Sequence, residues 1–317
     1  MYFFFIVYNN TDDVYVHHEI YLGAYPVCME RINDIGNSQK INYLAIGDMA
    51  EDINIWDLDT VDALDPEIIL KGHQDSVLSL SWNRMRPIQL ASVSADKTGR
   101  IWDLQTKKEI FKRELNAVAQ SIQFHPEDPE ILIFGDDKGK ASLVDMSSGT
   151  LKKWSVCKDE VEKVLWNRWN PFQFVCGTSV GEIVCLDVRN SDAKGILYKI
   201  KAHSEMISGM DFSPSVFGCF VTCSADKDSK VWDLKDDKPT CVKTFQPNVG
   251  TILSMASNPD YPLIFALSGD NNAENWKVID IGTFKQGWLL FVLIYFRYIV
   301  LFFFFFLIVR ERFADRL

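Results

Sequence analysis

Ser94-Ala95-Asp96-Lys97-Thr98-Gly99-Arg100-Ile101-Trp102-Asp103-Leu104 is answered 130 residues later by Ser224-Ala225-Asp226-Lys227-Asp228-Ser229-Lys230-Val231-Trp232-Asp233-Leu234. Each stretch reads as a polar turn entering a short strand that ends on Asp. Shorter copies of the strand recur as Ile55-Trp56-Asp57-Leu58, Leu143-Val144-Asp145-Met146, Cys185-Leu186-Asp187-Val188 and Val278-Ile279-Asp280-Ile281. The series Trp56, Trp102, Val144, Leu186, Trp232, Ile279 advances by 46, 42, 42, 46 and 47 residues. A second series, Trp82, Phe124, Trp166 and Phe212, runs 20 residues ahead of Trp102, Val144, Leu186 and Trp232. A period in the forties built of short apolar strands predicts an all-β fold, a β-propeller of four-stranded blades.

Ile6-Val7-Tyr8-Asn9 lies 48 residues before the copy ending at Asp57 and reads as a seventh copy, with Val14-Tyr15-Val16-His17 as its outer strand. The expectation is a seven-bladed ring with an incomplete first, closing blade, because no sequence before Ile6 makes two inner strands. The chain divides into residues 1–13 (an atypical N-terminus and partial blade), 14–284 (the propeller) and 285–317 (a hydrophobic tail).

Two units carry more than strands. In Gly72-His73 and Trp102-Asp103 the His precedes the Trp by 29 residues, and in Ala202-His203 and Trp232-Asp233 the interval is the same. With Ser94, Asp96, Ser224 and Asp226 between them, these units (72–105 and 202–236) resemble the WD40 repeat. The resemblance implies a buried hydrogen-bonded network of His73, Ser94, Asp96 and Trp102, and a second of His203, Ser224, Asp226 and Trp232. Ser92 and Thr222 compete for the hydroxyl role. Val14 to Ile20, Ala24-Tyr25-Pro26, Ser79 to Asn83, Phe124-His125-Pro126 and His203 to Gly209 further resemble the periodic tryptophan protein group. That resemblance covers residues 6–284. It implies a nuclear or nucleolar protein-interaction scaffold for ribosomal RNA processing and large-subunit assembly, with pre-ribosomal factors and ribosomal proteins as partners. The group also has an acidic N-terminal region and a different C-terminal end, neither of which is expected within residues 1–317. A chromatin adaptor binding histones is the alternative within the same resemblance.

A net charge of −10 argues against direct nucleic-acid binding, which needs a basic footprint. The acid concentrates in residues 41–70, which hold Asp48, Glu51, Asp52, Asp57, Asp59, Asp62, Asp65 and Glu67 with no Lys or Arg. One account is solvated loops; the other is an acidic rim for a basic partner, with Asp48, Glu51 and Asp52 as candidate contacts. Trp169, in Trp166-Asn167-Arg168-Trp169-Asn170-Pro171, is a candidate interface aromatic, and Trp154 and Trp276 also stand outside the regular series. Seven cysteines without a Cys-x-x-Cys pair and five histidines complete no zinc set, so neither metal nor cofactor is expected.

No enzyme is expected either. Gly177-Thr178-Ser179-Val180-Gly181 matches a nucleophile-elbow pattern but falls between two strands, where that motif needs a strand-to-helix turn. His73 and His203 pair with Asp96 and Asp226 as structural groups rather than as bases. Finally, Trp288 to Val309 carries one charge, Arg297, over a length that spans a bilayer. Its five consecutive Phe residues, like Phe3-Phe4-Phe5, also read as translated noncoding sequence. A membrane-anchored propeller is therefore the rival architecture.

Overall fold

The second strands of blades 3 to 6 are buried almost continuously, so both faces of each sheet are covered by neighbours. The computed structural model describes residues 2–8, 14–35, 42–60, 63–190, 195–234, 238–259, 261–271, 275–281, 292–294 and 302–303. Among them there are strands and no α-helix. Six antiparallel sheets follow one another along the chain, each made of consecutive strands. Blade 2 comprises Pro26–Ile32, Tyr43–Asp48, Ile53–Asp57 and Ile68–Leu70. Blade 3 comprises Val77–Trp82, Gln89–Ser94, Thr98–Asp103 and Lys108–Glu114. Blade 4 is Ala119–Phe124, Ile131–Asp136, Lys140–Asp145 and Leu151–Ser155. Blade 5 is Val161–Trp166, Gln173–Thr178, Glu182–Asp187 and Ile196–Lys201. Blade 6 is Ile207–Phe212, Cys219–Ser224, Ser229–Asp233 and Thr240–Phe245. Blade 7 has three strands, Ile252–Ser257, Ile264–Gly269 and Trp276–Asp280. The first strands of successive blades are mutual neighbours, so they line the axis of a β-propeller.

Blade 1 is assembled from both ends of the chain. Tyr2–Tyr8 pairs with Val14–Tyr21 on one side and with Val292–Ile294 on the other, and Val292–Ile294 pairs with Phe302–Phe303. The two inner positions, expected to be vacant, are thus filled from the stretch read as a membrane span or noncoding sequence. Among the described residues no helix is long and apolar enough to cross a membrane. Most of 288–309 lies outside the described residues, as do Asn9 and the other residues of 285–317 beyond the two short strands.

Register explains the constant 20-residue offset. Trp82 pairs with Leu90, which pairs with Trp102. The same transverse row is Phe124–Leu132–Val144, Trp166–Phe174–Leu186 and Phe212–Phe220–Trp232. The core lies between blades rather than within one. One cluster joins Tyr43 and Ile55 of blade 2 to Leu90 and Trp102 of blade 3; another joins Val175 and Cys185 of blade 5 to Phe212 and Phe220 of blade 6. The recurring Asp caps the turn into the last strand: Asp103 accepts from the amides of Gln105 and Thr106, and Asp145 from those of Ser147 and Ser148.

In blades 3 to 6 the turn between second and third strands contains a left-handed residue. Gly139 supplies it in blade 4 with φ +70°, whereas Lys97 holds φ 62° at the same place in blade 3. A Cβ on Gly139 would sit 2.3 Å from the Cys157 carbonyl oxygen. Gly139→Ala is therefore expected to lower unfolding free energy by about 2–4 kcal/mol. Lys97→Gly should stay within about 1 kcal/mol of the parent, because relieved strain offsets the added chain entropy. Urea denaturation of the two variants checks the contrast; equal losses would contradict it.

Candidate functional site

His73 is carried by the loop entering blade 3, Asp96 by the turn after its second strand, and Trp102 by its third strand. The fold brings all three together. His73 Nδ1–H donates to Asp96 Oδ2 (2.9 Å), its Nε2 accepts from the Ser92 hydroxyl (2.7 Å), and Trp102 Nε1–H donates to the same Ser92 oxygen (2.8 Å). The second network repeats the pattern: His203 Nδ1–H to Asp226 (3.1 Å), Nε2 to the Thr222 hydroxyl (2.9 Å), and Trp232 Nε1–H to Thr222 Oγ1 (2.9 Å). Ser94 and Ser224, the hydroxyls first assigned to these networks, do something else. Each donates to a loop carbonyl, of Asp75 and Glu205, and accepts the amide of Asp96 or Asp226. Positions two apart on a strand share a face, so the sequence could not separate Ser92 from Ser94. Gly72 is explained by Arg100, whose Nη1 would lie 2.6 Å from an added Cβ; Lys230 replaces Arg100 in blade 6, where Ala202 fits.

Burial lowers the His73 pKa, opposed by the hydrogen bond and charge of Asp96, and His203 shifts the same way for the same leading cause. Burial alone would raise Asp96, but hydrogen bonds from Thr98, His73 and the Gln74 amide outweigh it and hold the carboxyl at about 2. Both imidazoles are neutral struts. Ser179 hydrogen-bonds the backbone of Glu160 in an exposed turn, with no such His–Asp pair on it. Among the described residues no group of three or more His, Cys, Asp or Glu is placed to hold a metal.

At the opposite end of the ring, side chains on the inner strands of blades 2, 3, 4 and 6 reach the next blade. Glu30 accepts from the Trp82 amide (3.2 Å), Ser81 from Phe124 (3.0 Å), Gln123 from Trp166 (2.6 Å) and Asp211 from Ser257 (3.0 Å). Two residues further on, Asn83, His125 and Ser213 donate to the carbonyls of Pro129, Pro171 and Pro262 on the following blade. A cavity of about 150 Å³ opens here, lined by Glu30, Arg84, Trp166, Arg168 and Asp211 among others. The residues before and after each repeated aromatic were missed in the sequence; aligning the repeats would have shown their polarity.

The WD domain, G-beta repeat family matches residues 64–103 and 194–233. Periodic tryptophan protein 1 homolog of Drosophila melanogaster is 32% identical over 289 residues, 83% of this chain and 61% of that protein. Periodic tryptophan protein 1 of Saccharomyces cerevisiae is 28% identical over 78% of this chain and 50% of its own length. An uncharacterized WD repeat-containing protein of Schizosaccharomyces pombe is 28% identical over 87% of this chain and 58% of its own. The chain thus spans between half and about three-fifths of the curated relatives it matches. The chain is a β-propeller that carries WD40 repeats at residues 64–103 and 194–233.

Within that WD40 frame the acidic run is not one rim. The strand Ile53–Asp57 carries the chain from one end of blade 2 to the other, so Glu51 and Asp52 lie opposite Asp59, Asp65 and Glu67. Asp62 lies outside the described residues. Asp48 is buried, capping the Ala50 amide and accepting from Asn54, and burial raises its pKa; it is not a surface contact. Asp52 pairs with Lys71 at 3.3 Å, while Glu51 is exposed. Trp154 is buried and donates to the Asn190 carbonyl, so it is core. Trp169 is half-buried at the far end from Glu51, so the four candidate contacts form no single surface.

Ser92→Ala strands the indole N–H of Trp102 and Nε2 of His73 and is expected to cost about 2–4 kcal/mol, against about 1 kcal/mol for Ser94→Ala. Chemical denaturation measures both. Glu30 offers a pH test: burial pushes its carboxyl from 4.5 up to about 7, resisted by the Trp82 amide and Arg84 and aided by Asp211. The folded value exceeds the unfolded one, so Glu30's contribution is complete below about 4.5 and is lost as pH rises through about 7. Glu30→Gln keeps an acceptor for Trp82. It should match the parent at pH 5 and exceed it by about 2 kcal/mol at pH 8; an equal gap at both pH values would contradict the assignment.

Proposed function

We propose that the chain is a protein-interaction scaffold of ribosome biogenesis, acting in ribosomal RNA processing and large-subunit assembly in the nucleolus. The observation that carries the scaffold part is that the catalytic-looking pairs, His73–Asp96 and His203–Asp226, are consumed by buried hydrogen bonds to Ser92 and Thr222. What remains available is surface: two rims of loops on a rigid ring, the usual equipment of repeat proteins that bind other proteins. The ribosomal part rests on similarity to the periodic tryptophan proteins and on the shared motifs around Trp82, Phe124 and Trp166. Its partners on this reading are pre-ribosomal factors and ribosomal proteins, held by loops and not by a reactive cleft.

Sucrose-gradient sedimentation of the tagged protein from its own cells tests the proposal. Co-migration with precursors of the large subunit, lost after ribosomal RNA synthesis is blocked, is the expected result. Migration solely as small soluble complexes, unchanged by that block, would remove the ribosomal reading.

A further inference from the structure

The seam between blades 5 and 6 departs from its neighbours. Where the adjoining seams have Ser81, Gln123 and Asp211 as acceptors, blade 5 has Leu165, and the Phe212 amide turns to the side chain of its own neighbour, Asp211. The Asn167 amide group pairs with Gln173 within its own blade. In place of polar links an aromatic pair crosses this seam, Trp169 against Phe217 at 5.6 Å between ring centroids. Phe217 is 64% exposed, and Phe172, on the same loop as Trp169, is 46% exposed beneath the guanidinium of Arg189 at 4.8 Å.

Charge on this rim is equally uneven. Arg86 pairs with Glu130 and Arg189 with Asp187, whereas Arg84 and Arg168 make no ion pair among the described residues. Both line the cavity, where burial and then the charge of Arg84 lower the pKa of Arg168, opposed by the charge of Asp211. Glu30 accepts from the Trp82 amide, and Asp211 from the amides of Phe212 and Ser257. Trp166, 3% exposed and lining the cavity, has a buried indole N–H without a partner, and so does Trp169. Two guanidinium groups without an ion pair among the described residues therefore line the cavity, beside an exposed aromatic strip.

We propose that this rim, from the Arg84–Arg168 cavity to Phe217, docks an acidic peptide segment of a partner protein. Carboxylates enter the cavity mouth and an apolar side chain rests on the Trp169–Phe217 pair. The proposal rests on the scaffold reading and names the chemistry of one partner. An acidic peptide suits the site better than RNA, since the remaining surface of a chain of net charge −10 repels a polyanion that extends beyond two arginines.

Fluorescence anisotropy with the full chain tests it, using a fluorescein-labelled peptide of alternating Asp and Glu around one central Phe. Binding that weakens with salt is expected. Arg84→Gln combined with Arg168→Gln should weaken it about tenfold or more, Arg84→Lys with Arg168→Lys should retain most of it, and Phe217→Ser should weaken it about threefold to tenfold. Circular-dichroism melts matching the parent establish that the variants fold. No binding, binding unaffected by the double Gln variant, or stronger arginine-dependent binding of a labelled oligouridine would overturn the proposal. Failure here with intact co-sedimentation on ribosomal precursors would leave the scaffold reading standing.

Discussion

The structure depends on how the inner strand of each blade satisfies its free edge. That strand pairs with one neighbour only, so its remaining amides face the axis and would be buried without partners. In blades 4 and 5, side chains from the preceding blade supply the acceptors: Ser79 and Ser81 for Ile122 and Phe124, Ser121 and Gln123 for Val164 and Trp166. The same contacts that complete one sheet therefore fix the angle to the next. Apolar burial between blades provides the bulk of the attraction, but it is non-directional and cannot set register.

The buried networks at the other rim perform a complementary task. By joining His73 to Asp96, Ser92 and Trp102, blade 3 ties its entry loop to two of its strands, and blade 6 does likewise through His203. Blades 4 and 5 use glycine turns at that rim, Gly139 and Gly181, instead. The opposite rim carries the exposed Phe172 and Phe217 beside the arginines without an ion pair, and binding is assigned there for that reason.

Much of this was legible in the sequence. The two aromatic series gave the blades because each marks a fixed row across a sheet, and the Gly-His to Trp-Asp spacing located the networks. What escaped has definite causes. Ser92 and Ser94 share a strand face, so only the turn geometry distinguishes them. Asp48 belongs to an acidic run in composition, but a strand separates its neighbours onto opposite rims. Trp154 lies on a fourth strand, the least regular in sequence, and so looked exposed. Arg84 and Arg168 gave no signal, because whether an arginine has a carboxylate partner depends on loops from other blades.

Hydrogen–deuterium exchange resolved to single amides tests the central claim most directly. If side chains of one blade cap the inner strand of the next, the amides of Ile122, Phe124, Val164 and Trp166 exchange only with global unfolding, and Ser81→Ala selectively releases Phe124. Exchange of these amides at the rates of exposed loops in the parent protein would contradict the account.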